Sequence, residues 1–388
     1  MKKIGYLIFA TLYYLCCICP IKRNKVFYIM THDSSDGSNV GVLIERLKES
    51  GEYQFYGIGK EENIVVNEKV SYTKFGTWCS KIKGYFLFFI RKPYHLATAA
   101  IVAQDNVFMP MAYLKFRKSV KVIQLWHGTG TIKKFGQSVN TGKIAKLEKK
   151  ANQTITHLVV NSELSKRQSI EAFGISEDKI KLLGLPRTDL FFNDAKKAQV
   201  LERFYECYPD LKNKKILLYA PTFRDNEVLN PKVELDINLM LDGLDEEYVL
   251  ALKLHPFVAH AFNLNTNIKY QDRVVNLSNY KDINGLMLAA ELLITDYSSI
   301  IFEYCLLNKP MIFYAYDLDA FSENGRGFYE KYEEYVPGVI VKTTEELVKQ
   351  IQKGNYDIAK IKRFTQENYQ NLDGKATDRV VQQILCEL

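Results

Sequence analysis

A chain of 388 residues that is 47% hydrophobic and 25% charged can bury a sizeable core, which excludes a mostly disordered protein and suggests two domains. Seven cysteines, odd in number and scattered apart from Cys16, Cys17 and Cys19, argue against a disulfide framework and fit a reducing compartment. The net charge of +7 is uneven: residues 1–150 hold 24 Lys and Arg against 10 Asp and Glu, a net of +14, and the remainder carries −7. A basic first half points to an anionic surface. No RNP, zinc-finger or recognition-helix pattern supports nucleic acid, so a membrane is the expected partner.

Ile4–Ile21 is nearly all apolar and flanked by Lys2, Lys3, Lys22, Arg23 and Lys25. Pro20 shortens it as a spanning helix, and it has no small-residue cleavage site. Two readings stand: a buried first helix or an interfacial anchor. Lys25–Met30 then reads as a strand, followed by the polar loop Thr31-His32-Asp33, a helix running to Ser50 and a strand at Phe55–Ile58. This alternation predicts a Rossmann-like parallel sheet. The first loop lacks a G-x-G-x-x-G fingerprint, so no dinucleotide cofactor is expected. Lys81–Leu96 sets the apolar run Tyr85–Ile90 between basic residues, a second segment suited either to a headgroup boundary or to a core.

Ala99–Ala103 reads as a strand, Met109–Phe116 as helical, and Val122–Trp126 as a buried strand breaking into His127-Gly128-Thr129-Gly130. Ligands in open α/β sheets sit beyond the carboxyl ends of strands, and histidine titrates near neutrality, so His127 is the candidate general base. Asp33, at the end of the first strand, is a candidate to orient it. A helix over Lys143–Gln153, a strand at His157–Val160, a helix over Leu164–Phe173 and a strand at Lys179–Leu183 complete the first half, which ends after Gly184-Leu185-Pro186-Arg187.

The second half repeats the pattern. Strands at Lys215–Tyr219, Tyr248–Leu254, Val274–Asn276, Glu291–Thr295 and Pro310–Phe313 alternate with helices at Ala195–Tyr208, Asn284–Ala290, Ile300–Leu307 and Thr344–Lys353, and a last helix covers Ala359–Leu388. The expected organisation is an apolar segment at 1–21, a Rossmann-like domain at 22–194, a second at 195–365, and a helix at 366–388.

Several strand ends are chemically rich. Ser298 and Ser299 open a helix, where hydroxyls and backbone N–H groups suit a phosphate. Glu303, one turn further, can accept from ribose hydroxyls. Lys253 and His255 lie two apart at one strand end, and both donate to phosphate oxygens. Arg187 and Arg224 offer forked guanidinium groups suited to a diphosphate. No carboxylate cluster demands a divalent metal, so no metal is expected.

The ordered set Trp126-His127-Gly128-Thr129, Gly184-Leu185-Pro186-Arg187, Ala220-Pro221-Thr222-Phe223-Arg224, Lys253-Leu254-His255-Pro256, Asp296-Tyr297-Ser298-Ser299 with Glu303, and Arg326-Gly327-Phe328-Tyr329 with Pro337-Gly338 resembles the CDP-glycerol glycerophosphotransferase family of wall teichoic acid synthesis. The resemblance implies a GT-B-like α/β fold of two Rossmann-like domains with an interdomain cleft, the last helix returning to the first domain. It implies transfer of glycerol 3-phosphate from CDP-glycerol to a hydroxyl of an undecaprenyl-diphosphate-linked disaccharide, with release of CMP. The compact chain points to the priming step, with a poly(glycerol phosphate) polymerase, a capsule glycerol- or ribitol-phosphate transferase and a sugar-nucleotide GT-B glycosyltransferase as alternatives, and peripheral attachment at the cytoplasmic face of the membrane is expected. By the same resemblance His127 and His255 are the catalytic candidates. Trp126, Gly128, Thr129, Arg187, Pro221, Thr222, Arg224, Lys253, Ser298, Ser299 and Glu303 are the substrate-binding ones.

Overall fold

A computed structural model describes residues 2–60, 88–224, 232–255, 258–259 and 268–385. The chain forms two units. Unit 1 comprises Met1–Thr129, Phe135–Asp189 and Gln370–Leu388, and unit 2 comprises Gly130–Lys134 and Leu190–Tyr369. The crossing expected after residue 194 thus falls at Asp189. The Asp189 carboxylate accepts from the N–H groups of Ala376 and Thr377, both 2.8 Å, within unit 1, whereas Phe191 is buried in a core cluster of unit 2.

Unit 1 holds a six-stranded parallel sheet: β1 (Lys22–Met30), β2 (Gln54–Gly59), β3 (Ala99–Gln104), β4 (Lys121–Gln124), β5 (His157–Val160) and β6 (Ile180–Leu182), in the order β2-β1-β3-β4-β5-β6. Val26, Phe27, Ile29, Ile101, Val102, Val122 and Ile123 are wholly buried, because helices cover both faces, as a parallel sheet requires. Strand order reverses between β1 and β3. The crevice beyond their carboxyl ends is where such sheets bind ligands.

Unit 2 repeats the design with β7 (Lys215–Ala220), β8 (Tyr248–Leu252), β9 (Val274–Asn276), β10 (Leu292–Thr295), β11 (Met311–Tyr314) and β12 (Val339–Val341), all parallel, in the order β12-β11-β10-β7-β8-β9. Its switch point lies between β7 and β10. Separate apolar clusters cover its two faces, one around Phe204, Tyr304 and Phe302, the other around Met240, Leu252 and Ile294.

The first helix, α1 (Lys2–Cys16), is 15 residues long. At 1.5 Å per residue it covers about 22 Å, short of the roughly 30 Å hydrocarbon core. Among the described residues no helix is long and apolar enough to cross a membrane. Tyr6, Phe9, Ala10 and Tyr13, at helical spacing, pack into the unit 1 core, while Ile4, Leu7, Ile8, Tyr14 and Leu15 stay exposed. The helix thus has one buried face and one exposed apolar face. In the second apolar segment, residues 88–97 are helical, with Phe88 buried and Ile90 exposed, and residues 81–87 lie outside the described residues.

Three expectations change. Met109–Tyr113 is a 3-10 turn rather than an α-helix, with Pro110 near its start removing a donor. Strand β4 stops at Gln124 instead of running to Trp126, because Trp126 takes φ +55 and turns the chain. The last segment is two pieces, Ile358–Asn368 and Ala376–Val380, separated by a break in which Gly374 adopts φ +67. Only the second piece belongs to unit 1.

Candidate active site

The unit 1 residues singled out from sequence converge on the carboxyl ends of β1, β3 and β4. Trp126 holds a left-handed backbone that costs a non-glycine residue roughly 1–2 kcal/mol. Its N–H donates to Gln124 Oε1 at 2.9 Å, and its ring lies between Phe135 (5.0 Å, 28°) and Phe173 (5.0 Å, 82°). Two buried asparagines hold the loop on either side. Asn39, at the start of α2 (Asn39–Lys48), donates to the carbonyls of Leu125 and Trp126, both 3.1 Å, and accepts the Arg187 N–H. Asn161 donates to the Thr129 carbonyl at 2.7 Å and accepts the Leu185 N–H at 2.8 Å. The Gly-Leu-Pro-Arg turn is thereby tied to the Trp-His-Gly-Thr loop. Gly184 is needed there, since its φ is +81 and a Cβ would come within 3.0 Å of Ala376.

His127 Nδ1 lies 3.1 Å from the Asp105 carbonyl. A carbonyl only accepts, so Nδ1 carries the proton and Nε2 carries the lone pair. Burial lowers the His127 pKa to about 3, and the neighbouring His32 pushes in the same direction, so the ring is a neutral base. The orienting group is therefore Asp105 and not Asp33, whose carboxylate accepts the N–H of Ser35 at 3.0 Å. Arg187 is 7% exposed, and its Nη1 donates to the His127 carbonyl at 3.0 Å. Thr129 is buried, its hydroxyl oxygen without a hydrogen-bond partner among the described residues, and Gly128 is half-buried.

In unit 2 the loops after β7 and β10 meet at the switch point. The Thr222 N–H donates to Asp296 Oδ1 at 2.8 Å. A hollow is lined by Pro221, Thr222, Phe223, Arg224, His255 and Tyr316, among others. His255 stacks on Phe223 with centroids 4.6 Å apart at 19°.

Arg224 lines this hollow, yet its guanidinium is engaged by the protein. Nε and Nη2 donate to the two oxygens of Asp317 at 2.7 and 2.9 Å, and Nη1 donates to Asp296 Oδ2 at 2.8 Å and to the Thr222 carbonyl. Lys253 likewise donates to the carbonyls of Leu277, Ser278 and Tyr280. An ammonium has three protons, and these three acceptors account for them. Both cations therefore brace the loops around them.

Ser298 is half-buried and Ser299 exposed, and the helix they precede, Ile300–Tyr304, is one turn long before it tightens to 3-10 geometry at Cys305–Leu307. Its macrodipole is correspondingly smaller than that of the eight-residue helix expected from the sequence. Glu303 is 5% exposed, so it is not the solvated glutamate of a surface helix.

Sequence reasoning missed His32, Asp105, Asn39 and Asp317. Asp105 follows β3 directly and His32 stands two residues after β1, but that signal acquires meaning only once strand order puts β1 beside β3.

Two parallel sheets of Rossmann type, each with polar loops at its switch point, define a GT-B-like α/β protein. Residues 11–386 match the family described as CDP-Glycerol:Poly(glycerophosphate) glycerophosphotransferase, and the chain belongs to that family. It is 35% identical, over 99% of its length, to the teichoic acid poly(ribitol-phosphate) polymerase of Bacillus spizizenii, and spans 60% of that relative. It is 33% identical to the teichoic acid glycerol-phosphate primase of Bacillus subtilis, with 75% of each chain covered. Among solved structures, the wall teichoic acid polymerase TagF matches with a TM-score of 0.78 at 22% identity, covering 100% of this chain and 97% of that one.

Proposed function

We propose that the protein transfers glycerol 3-phosphate from CDP-glycerol to a hydroxyl of a lipid-linked acceptor and releases CMP. The observation that carries this reading is the His127 tautomer: Nδ1–H is tied to the Asp105 carbonyl, so Nε2 is left to accept a proton. In the reaction the acceptor oxygen bonds to the β-phosphorus of CDP-glycerol while its proton passes to Nε2. The bond from that phosphorus to the bridging oxygen breaks, and CMP leaves with the electron pair. The unit 2 loops supply the donor side of this reading, with Thr222, His255, Ser298 and Ser299 as its contacts. TagF crystals soaked with CDPG, among the structural relatives, are in keeping with that donor.

The finer assignment is the priming step, one glycerol phosphate added to an undecaprenyl-diphosphate-linked disaccharide. A second reading, CDP-ribitol as donor, is favoured by the 35% identity to a ribitol-phosphate polymerase over almost the whole chain. Incubation with a synthetic lipid disaccharide and either CDP-glycerol or CDP-ribitol, followed by mass spectrometry of the lipid, separates these. A single added glycerol phosphate is the expected product. A ladder replaces priming by polymerisation, ribitol phosphate replaces the donor, and turnover of UDP-sugars alone ends the proposal.

We propose further that the protein attaches peripherally to the cytoplasmic face of the membrane. The exposed Ile4, Leu7, Ile8 and Leu15 of α1, together with the +14 charge of residues 1–150, support this. Co-sedimentation with liposomes containing anionic lipid is expected at low salt, and Ile8→Asp with Leu15→Asp is expected to abolish it without loss of fold, since both side chains are exposed. Absence of binding by the unaltered protein at low salt would remove the proposal.

A further inference from the structure

The histidine proposed as base is one of a pair. His32 lies face to face with His127, ring centroids 3.7 Å apart and planes 13° from parallel. One residue, Asp105, holds both partners. Its carbonyl takes the His127 Nδ1–H at 3.1 Å, and its carboxylate takes the N–H groups of Thr31, His32 and Asp33 at 2.9, 3.0 and 2.8 Å. Asp105 follows β3, the His32 loop follows β1, and the reversal of strand order between them makes the two loops neighbours.

We infer that His32 is the positioning residue for His127: its ring fixes the plane of the base, the Asp105 carbonyl fixes its direction within that plane, and together they leave Nε2 a single bearing. The inference rests on the reading of His127 as the base. A hydrogen bond at Nδ1 alone would let the ring rock about the Nδ1–O axis. A stacked neighbour removes that freedom, and misplacement of a catalytic group by about 1 Å can cost on the order of 10²-fold in rate.

The stack also sets the proton balance. Two imidazoles in face contact hold one proton between them far more readily than two, so they titrate as a pair. His32 is faced by Lys60, Asp33 and Arg187, and His127 by Asp33 and Arg187, besides each other. Burial lowers the His32 pKa as well, chiefly with the Lys60 charge in support, so both rings start neutral.

The test is ¹⁵N-histidine NMR across a pH series on the full chain and on His32→Phe, His32→Ala and His32→Gln, with kcat and KM for CDP-glycerol measured in parallel. In the unaltered protein His127 is expected as the neutral Nδ1–H tautomer down to pH 5. Phe preserves the stack and is expected to keep that tautomer and most of kcat. Ala and Gln, which lack a ring, are expected to mix the tautomers, to raise the His127 midpoint by at least about one pH unit as water enters, and to lower kcat about tenfold or more at constant KM. If a folded Ala or Gln variant leaves the tautomer and midpoint of His127 where they are, the inference is overturned. If those change while the unaltered protein does not turn over CDP-glycerol, His32 still positions His127 and it is the proposed function that falls.

Discussion

His127→Asn is expected to lower kcat with CDP-glycerol by about 10²–10⁴-fold, the range that a positioned proton acceptor contributes, while the KM for the donor stays near its original value. Asparagine is the informative replacement because its amide can still donate to the Asp105 carbonyl, as Nδ1–H does. The loop geometry then survives, and what is lost is the basic nitrogen. A variant that keeps kcat within a few-fold would remove His127 from the chemistry. The pH profile carries a second expectation. The base works unprotonated, and its pKa is lowered to about 3, so His127 does not produce an acid limb near pH 6.5. Folding stability shows the matching sign: the unfolded chain takes up a proton at this histidine below about 6.5 and the folded chain only near 3, so this residue's contribution falls as pH drops through that window. His127→Asn removes that dependence, which acid titrations followed by circular dichroism would detect.

The largest effect on stability is expected at Arg224. Its side chain is 5% exposed and sits between Asp296, 1% exposed, and Asp317, 21% exposed. The guanidinium also lies 5.0 Å from the Tyr297 ring centroid and 5.1 Å from that of Phe321. Removing one member of such a group leaves a buried charge without its counterion, which costs about 3–5 kcal/mol. Arg224→Ala should therefore lower the thermal midpoint of unit 2 by roughly 10 °C. Arg224→Lys should fall almost as far, because a lysine cannot present the fork that meets both oxygens of Asp317. Asp317→Asn should add little further loss on the Arg224→Ala background, since the two side chains act as one unit. Differential scanning calorimetry decides the matter, and a midpoint within about 2 °C of the original for Arg224→Ala would refute the brace.

The difference between the two arginines, and between Lys253 and His255, marks how far the sequence could be read. Alternating apolar runs such as Lys215–Ala220 and Leu292–Thr295 are legible because a strand buried on both faces must be apolar throughout. Which residues stand at their carboxyl ends is legible as well, and so His127, Thr222 and His255 could be named in advance. What those residues touch is not. The acceptors of Lys253 lie 24 to 27 positions away, and the carboxylates of Arg224 lie 72 and 93 positions away. A strand-end cation looks the same in sequence whether it meets a ligand or a loop. His32 was hidden for a related reason: its importance depends on β1 lying beside β3, a fact of topology and not of local pattern. The helix read from Ala359 to Leu388 failed locally, where Tyr369 turns extended and Gly374 left-handed.

Unit 2 is not one stretch of chain. It includes Gly130–Lys134, where the Lys134 N–H reaches the Gly327 carbonyl at 3.0 Å, the Tyr329 N–H reaches the Ile132 carbonyl at 3.1 Å, and a Cβ on Gly130 would strike the Phe302 ring at 2.4 Å. Unit 1 in turn takes back residues 370–385, whose Ala376 and Thr377 satisfy Asp189. During synthesis, then, unit 1 cannot be completed until unit 2 has been translated. Unit 1 is joined by residues 370–385 only after unit 2 has been made, and the five residues after the Trp-His-Gly-Thr loop pack with unit 2. Cutting the gene between codons 189 and 190 should yield two fragments that misfold separately, and co-expression should be needed to recover a native pair.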